Sequence, residues 1–462
     1  MKLSKKQQLA IDLMASGANV YLTGYAGTGK TTVLKEYIED AEKSGKNVLV
    51  CATTGMAADN LGYGAGTLHR ILGISTRPEE YAKRIKYRNK LLRTADVLVI
   101  DEISMCRSDL FSYVGKMIEY ENNRRADDRI LGESEMDDLQ VILCGDFFQL
   151  PPVMTTTDRE LLIDLYGQEY EAGGGNEYGY AYHSEYWKRL ELHGICLTDI
   201  YRQQDSSYLY VLSNIRTGNN IRKIIDFFEE NQAPKMIPDA PFLVARNAEA
   251  DKINNNFLKR LNPETETVIH ADITGKLTPS DIKNVSFAAE ELTLNFGARV
   301  MVTVNDPDGR YVNGTIGIIT EININKDRID EDYVVIKTTA GKRIRVYQYT
   351  RDVERQVVEE VVEKDKECPE NVRKIVRKKI GSYSQILIKL AWAISIHKSQ
   401  GQTFEQINID PRCWKIGQFY TAVSRARLVE GIHFVQQLHA YYVKAFPEKE
   451  QEILRDSLVE LL

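Results

Sequence analysis

The chain has 462 residues, 43% of them hydrophobic and 27% charged, with a formal net charge of −6. That length exceeds what one hydrophobic core usually supports, so two or more domains are expected. The acidic balance argues against a protein that wraps duplex DNA in a basic surface, and it confines any nucleic-acid contact to a local channel.

The N-terminus, MKLSKKQQLAIDLM, lacks a secretory h-region and reads as an amphipathic helix carrying Leu9, Ile11, Leu13 and Met14. No later stretch is long and apolar enough to span a bilayer. The six cysteines contain no C-x-x-C pair, which points to neither a zinc site nor a disulfide framework and to a reducing, cytoplasm-like setting.

Asn19–Thr23 has the apolar, β-prone character of a short buried strand, and Thr32–Ile38 carries apolar residues at helical spacing. Between them lies Gly24-Tyr25-Ala26-Gly27-Thr28-Gly29-Lys30-Thr31, in the strand–turn–helix context that a phosphate-binding loop needs. Its glycines let backbone N–H groups approach a phosphate, and the helix start adds partial positive charge. Lys30 is placed for the β- and γ-phosphates and the Thr31 hydroxyl for Mg²⁺. ATP and Mg²⁺ are the expected ligands.

Val48–Ala52, Val97–Ile100 and Leu139–Cys144 read as further buried strands separated by helices, the mark of a parallel sheet covered on both faces. A basic run, Arg77–Arg93, falls between the first two. Asp101-Glu102 closes the second, where an open parallel sheet binds its ligand; Asp101 suits Mg²⁺ and Glu102 the attacking water. The competing reading is an Asp-Glu pair opening the helix that begins near Ser104. Gly145–Pro152 ends the next strand, and Gln149 there is either a γ-phosphate sensor or a turn residue. The Gly-, Tyr- and Glu-rich run from Met154 to Trp187 reads as a mobile surface loop.

A second α/β segment starts near Leu197, with a strand at Pro241–Ala245 and a helix at Ala248–Leu261. Beyond Ala298 short β runs joined by Gly, Asn and Asp turns imply a small β-barrel. Arg351–Lys379 alternates aliphatic and charged residues, acidic then basic; it is either a projecting hairpin or a charged helical pair. From Ile386 the α/β texture returns. Arg202 and Arg425, both from this half, are candidates for stabilising a transferring phosphoryl group, although most arginines are solvated or surface-paired.

The order GYAGTGKT, CATTGMAADNLGYGAGTLHRILGI, VLVIDEISM, LCGDFFQLPPV, LTDIYRQQD, GARVMVTVN, AISIHKSQGQT and YTAVSRAR resembles superfamily-one helicases, and more narrowly the PIF-type DNA helicases of the RecD-like branch. The resemblance runs from Lys6-Gln7 to about Phe434. It implies two RecA-like parallel-sheet domains with a small SH3-like β-barrel inserted in the second. The boundaries expected are 1–193 with a wedge-like insertion at 70–95, then 194–309 with 386–462, and 310–385 for the barrel and its hairpin. By motif match, Gln7 reads the adenine edge; Gln149, Arg202 and Arg425 meet the γ-phosphate; Gly24, Gly27, Thr28, Gly29, Lys30, Thr31, Thr32 and Gly401 complete the nucleotide site. Thr54, Thr67 and His69, with His397, Lys398 and Ser399, match the family's single-strand contacts.

The resemblance further implies a cytoplasmic, nucleoid-associated monomer acting 5′ to 3′ on single-stranded and forked or duplex DNA, in replication, repair or recombination. It names no protein partner. The rivals are an ATP-switched DNA-binding subunit that does not unwind, and a P-loop kinase.

Overall fold

The structure, a computed structural model, describes the chain except residues 1–2, 76–80, 82–88, 155–157, 159, 161–162, 164–178, 279–281, 283–289, 305, 307, 312–313, 325–331, 339–340 and 364–369. Most of the basic run 77–93 and of the loop expected at 154–187 therefore lies outside the described residues. Residues 1–201, 354–378 and 447–462 form one compact unit, and 202–353 with 379–446 a second.

In the first unit Val20–Gly24 (β1), Val48–Ala52 (β2), Gly66–Thr67 (β3), Val97–Asp101 (β4), Gln140–Cys144 (β5) and His193–Leu197 (β6) build a parallel sheet in the order β6-β1-β5-β4-β2-β3. Every residue of β1, β2, β4 and β5 is buried, as strands covered on both faces must be. Helices α1 (Lys5–Ala15) and α2 (Lys30–Lys43) supply Ile11, Met14, Val33, Leu34 and Tyr37 to this core. Each large aliphatic so placed stabilises the fold by about 1.5–3 kcal/mol. Leu9, expected on the apolar face of α1, is instead 44% exposed, and Ala10 takes the inward position.

The first sheet gains a seventh strand from the end of the chain: Glu460–Leu461 runs parallel to β6. The preceding helix, Glu448–Asp456, buries Glu450, whose carboxylate accepts from Tyr182 Oη at 2.5 Å and pairs with His183 Nε2 at 2.8 Å. Residues 447–462 thus pack with the first sheet and not with the segment 386–446 that precedes them.

The second unit opens its own parallel sheet with Phe242–Val244 (β7). The chain then leaves for an antiparallel block: Thr267–His270 (β8), Asp272–Gly275 (β9), Glu291–Leu294 (β10), Arg299–Val302 (β11), Ile316–Asn323 (β12), Tyr333–Thr338 (β13), Arg343–Glu363 (β14), Glu370–Ile386 (β15) and Ile388–Leu390 (β16). Seven of these form one sheet in the order β16-β11-β12-β13-β14-β15-β9, around Val300, Ile319, Val334, Ile336, Ile344 and Ile388. Ala393–Ser395 (β17), Ile407–Ile409 (β18) and Ile432–Phe434 (β19) then rejoin β7 in the parallel order β17-β7-β18-β19. Two parallel α/β sheets with an antiparallel insertion in the second are the expected fold class.

Arg351–Lys379 is a β-hairpin made by the outer parts of β14 and β15, not a helical pair. Opposite charges face each other across it, Lys379 with Asp352 at 2.6 Å and Lys378 with Glu359 at 3.0 Å. Its distal part belongs to the first unit. The Gln356 amide accepts from Val50 N–H at 3.1 Å and donates to Val50 O at 2.7 Å, pairing the stretch of β2 that β3 leaves open. Arg377 lies 4.7 Å from the Tyr63 ring centroid and pairs with Glu42.

Candidate nucleotide site and nucleic-acid interface

The strand order puts three chain breaks side by side. β5 lies between β1 and β4, so the loops after Gly24, Cys144 and Asp101 leave the same carboxyl edge of the sheet. An open parallel sheet holds its ligand at this edge.

The loop after β1 depends on glycine. Gly24, Gly27 and Gly29 have φ of 151°, 83° and 78°. A Cβ on Gly24 would lie 2.5 Å from Leu197 O, and one on Gly29 would lie 2.8 Å from Gln7 Nε2. Gly29 caps α2 without any side-chain hydrogen bond, so the first-turn N–H groups stay available to an anion. Lys30 Nζ donates to Gly24 O at 3.0 Å and Tyr25 O at 3.1 Å, folding its ammonium over the loop. The Thr28 hydroxyl turns inward to Tyr25 O at 2.9 Å, which leaves its backbone as the part that can face a ligand. Thr31 is half-buried and Thr32 exposed in the first turn.

Gln7 sits against this loop as a buried residue. Its Nε2 donates to Thr28 O at 3.1 Å, while its Oε1 accepts from Ser4 N–H at 2.9 Å and Tyr201 Oη at 3.3 Å. Ser4 and Gln7 form a reciprocal capping box on α1. One side chain therefore starts the first helix and braces the phosphate loop.

Asp101 is the last residue of β4 and is 6% exposed. Burial raises its pKa; hydrogen bonds from Glu102 N–H and the Cys144 thiol, with Lys30 and Lys35 nearby, pull the other way. Glu102 adopts a left-handed φ of 52°, uncommon outside glycine and concentrated at functional sites. The long helix begins only at Ser108, after a short turn at Ile103–Met105. Asp101 is thus a strand end, and Glu102 leads into the short turn rather than opening the long helix. Beside it Gln149 is buried, and its Nε2 donates to the Asp146 carboxylate at 3.1 Å.

A buried strand-end carboxylate and a threonine hydroxyl at an uncapped helix start, both at the carboxyl edge of one sheet, are hard oxygen donors of the kind that fits Mg²⁺. Among the described residues no cluster of three or more His, Cys, Asp or Glu has metal-binding geometry.

In the second unit Arg202 and Arg425 converge on the end of the helix Gln418–Val423. Arg202 donates to Ser424 O at 3.0 Å and Thr403 Oγ1 at 2.9 Å. Arg425, 2% exposed, donates to Thr421 O at 2.9 Å and Ser424 Oγ at 3.0 Å. Burial lowers the Arg202 pKa. Gly401, with φ of 75°, lies two residues before Thr403.

Of the expected strand contacts, Thr54 caps the helix Gly55–Leu61 (α3), accepting from Ala57 N–H at 3.2 Å, and Thr67 caps Leu68–Leu72 (α4) without a side-chain bond. His69 shares a hydrogen bond of 3.0 Å with Tyr81 Oη, and burial and Arg107 lower its pKa. Lys398 is exposed and His397 half-buried after β17. Ser399 departs from expectation: it is fully buried, and its hydroxyl donates inward to Ile396 O at 2.7 Å.

Residues 2–169 match the model of the family described as PIF1-like helicase. The ATP-dependent DNA helicase Pif1 of Campylobacter jejuni is 30% identical over 88% of this chain and 86% of its own. The chain belongs to the PIF1-like helicases. The crystal structure of Bacteroides sp. Pif1 in complex with ADP-AlF4 has a TM-score of 0.77 and 30% identity over 99% of this chain and 98% of that one. Bacteroides Pif1 bound to ssDNA has a TM-score of 0.61 and 30% identity over 99% and 97%.

Two parts of this PIF1-like site are given no role by the motifs. Lys35, one turn into α2, has its pKa lowered by burial and pulled back up by Asp101. Phe147, between Asp146 and Gln149, packs in a ring cluster with Tyr21, Tyr182 and Trp187 at centroid distances of 5.7, 4.9 and 5.8 Å. Helical spacing hints at Lys35; nothing local announces the ring cluster.

Proposed function

We propose that the chain is a motor that moves 5′ to 3′ along single-stranded DNA and separates duplex ahead of it, in replication, repair or recombination. As a PIF1-like helicase it is an ATP-dependent DNA helicase; the direction and the cellular role are the finer parts of the proposal. The observation that carries the chemistry is the shared carboxyl edge, where a glycine-built phosphate cradle and a strand ending in the buried Asp101 stand one strand apart.

Thr31 and Asp101 would hold Mg²⁺, which when bound neutralises charge on the β- and γ-phosphates. Lys30 leaves the loop carbonyls for those phosphates. Glu102 orients the attacking water, and Gln149 senses the γ-phosphate from its anchor on Asp146. Arg202 and Arg425 stabilise the charge of the transferring group, a role worth about 10³–10⁵ in rate. Gln7 carries the adenine contact. On the DNA side Thr54, Thr67, His69, His397 and Lys398 track the backbone without reading bases. The ssDNA complex of a relative aligned over 99% of this chain supports that assignment.

ATP turnover with and without single-stranded DNA, followed by strand separation on 5′- and 3′-tailed duplexes, tests the proposal. Turnover rises with DNA and only the 5′-tailed duplex opens. No stimulation would overturn the motor, stimulation without separation would make the chain a switched binder, and opening of the 3′-tailed duplex alone would reverse the direction.

A further inference from the structure

The parallel sheet of the second unit ends in a built aromatic site that no part of the nucleotide chemistry uses. β17, β7 and β18 are adjacent, so the residues after them share one carboxyl edge. After β7 comes exposed Arg246, after β17 come His397 and Lys398, and after β18 come Trp414 and Lys415. The Arg246 guanidinium lies 4.4 Å from the centroid of the Trp414 ring.

Both halves of this pair are fixed by one buried residue. Gln418 Oε1 accepts from Trp414 N–H at 3.1 Å and Lys415 N–H at 3.3 Å, and its Nε2 donates to Ala245 O at 3.3 Å, next to Arg246. Gln418 itself is fully buried. The nearby acids are engaged: Arg412 takes Asp410 at 2.9 Å and Glu249 at 3.3 Å. The edge is cationic: Arg246 and Lys398 are exposed along it, and Lys415 lies close enough to His397 to help lower its pKa.

An indole held in place, 37% exposed, next to Lys415 in the chain and backed by a guanidinium, suits a nucleobase whose phosphates lie on the cations of this edge. A merely structural cation–π pair on a surface contributes about 0.5–1 kcal/mol and needs no pinned backbone beneath it. In a chain of net charge −6, a cationic and aromatic edge is also the local channel that an anionic strand requires.

We propose that Trp414, braced by Gln418 and backed by Arg246, is the platform on which one base of the single strand stacks. The inference rests on the DNA-motor reading and names the ring that grips the strand.

The chain's composition makes the test direct. Of its three tryptophans, Trp187 is 0% and Trp392 6% exposed, so Trp414 alone stands open to a base. Intrinsic fluorescence of the full chain is titrated with an oligothymidylate of about 16 nucleotides, while anisotropy of the same labelled strand reports binding independently. The expected result is quenching with the same midpoint as the anisotropy change. Trp414→Phe keeps affinity within about threefold but loses the quench, and Trp414→Ala weakens binding about tenfold. Binding without quenching in the wild type, or a quench that survives Trp414→Phe, overturns the platform and leaves the motor reading intact. No binding by anisotropy overturns the motor reading itself.

Discussion

The two parallel sheets present opposite chemistry at the same edge, and they build it by different means. The first makes its phosphate site from backbone: three left-handed or extended glycines, an uncapped helix start and a strand-end carboxylate, all set within a few residues of their own strands. The second makes its cationic sites from long side chains gathered over distance. Arg202 reaches Ser424 and Thr403 some two hundred positions away, and Gln418 joins Ala245 to Trp414. A cradle for a tetrahedral anion needs N–H groups in fixed array, which a short glycine loop supplies locally. A group that stabilises charge or grips a strand needs a buried scaffold that aims it.

The largest effects should come from breaking the two chemistries separately. Arg425→Lys keeps a charge but loses the fork, so phosphate release under saturating ATP and DNA should fall by about 10³-fold or more. Ordinary turnover by this variant would remove Arg425 from the chemistry. Lys30→Ala should cost about 10³-fold as well, with an unchanged melting curve, because the Lys30 ammonium donates to backbone carbonyls of its own loop, Gly24 O and Tyr25 O. A large loss of stability here would mean that the ammonium is a fold element and that the glycine loop does not stand by itself.

A third change probes what belongs to the first unit. Glu450→Ala removes the buried acceptor of Tyr182 Oη and the partner of the half-buried His183. Stability, read from the urea midpoint, should drop by about 1–3 kcal/mol, and Glu450→Gln should recover part of it. No drop would mean that residues 447–462 are not integral to the first sheet.

Legibility followed the same divide. The loop Gly24–Thr31, the strand end at Asp101 and the antiparallel insertion could be read from the chain because each is encoded by neighbours at short, regular spacing. The return of Glu460–Leu461 to β6 could not, since a two-residue strand has no periodicity and its pairing is decided by an open sheet edge. Gln356 on Val50 was equally hidden, because one amide in a charged hairpin gives no sign that it completes a strand from which it is three hundred residues distant. The burial of Ser399 was hidden for another reason. A motif states which residue follows which, but the turn His397–Ser399 decides which side chains face out, and there Lys398 is exposed while Ser399 is sealed.

The smallest effect separates the two histidines expected on the strand. Burial lowers both pKa values, helped by Arg107 at His69 and by Lys415 at His397. Each ring is therefore neutral near pH 7, and a phosphate placed beside it would favour the cation and raise its pKa in the complex. Binding then takes up a proton, and affinity rises as pH falls from about 7.5 towards the free-protein pKa below 6.5. The fold limits the range: a histidine with depressed pKa contributes stability that is present above about 6.5 and lost as pH falls through its folded value. Between pH 7.5 and 6 the wild-type affinity for oligothymidylate should rise by about threefold. His397→Gln should flatten that slope, since its ring lies on the open cationic edge. His69→Gln should leave it nearly unchanged, because the His69 ring is already hydrogen-bonded to Tyr81 and flanked by Arg107, which oppose a second charge. If His69→Gln flattens the slope and His397→Gln does not, the strand is gripped by the first unit, and the division of labour between the two sheets is reversed.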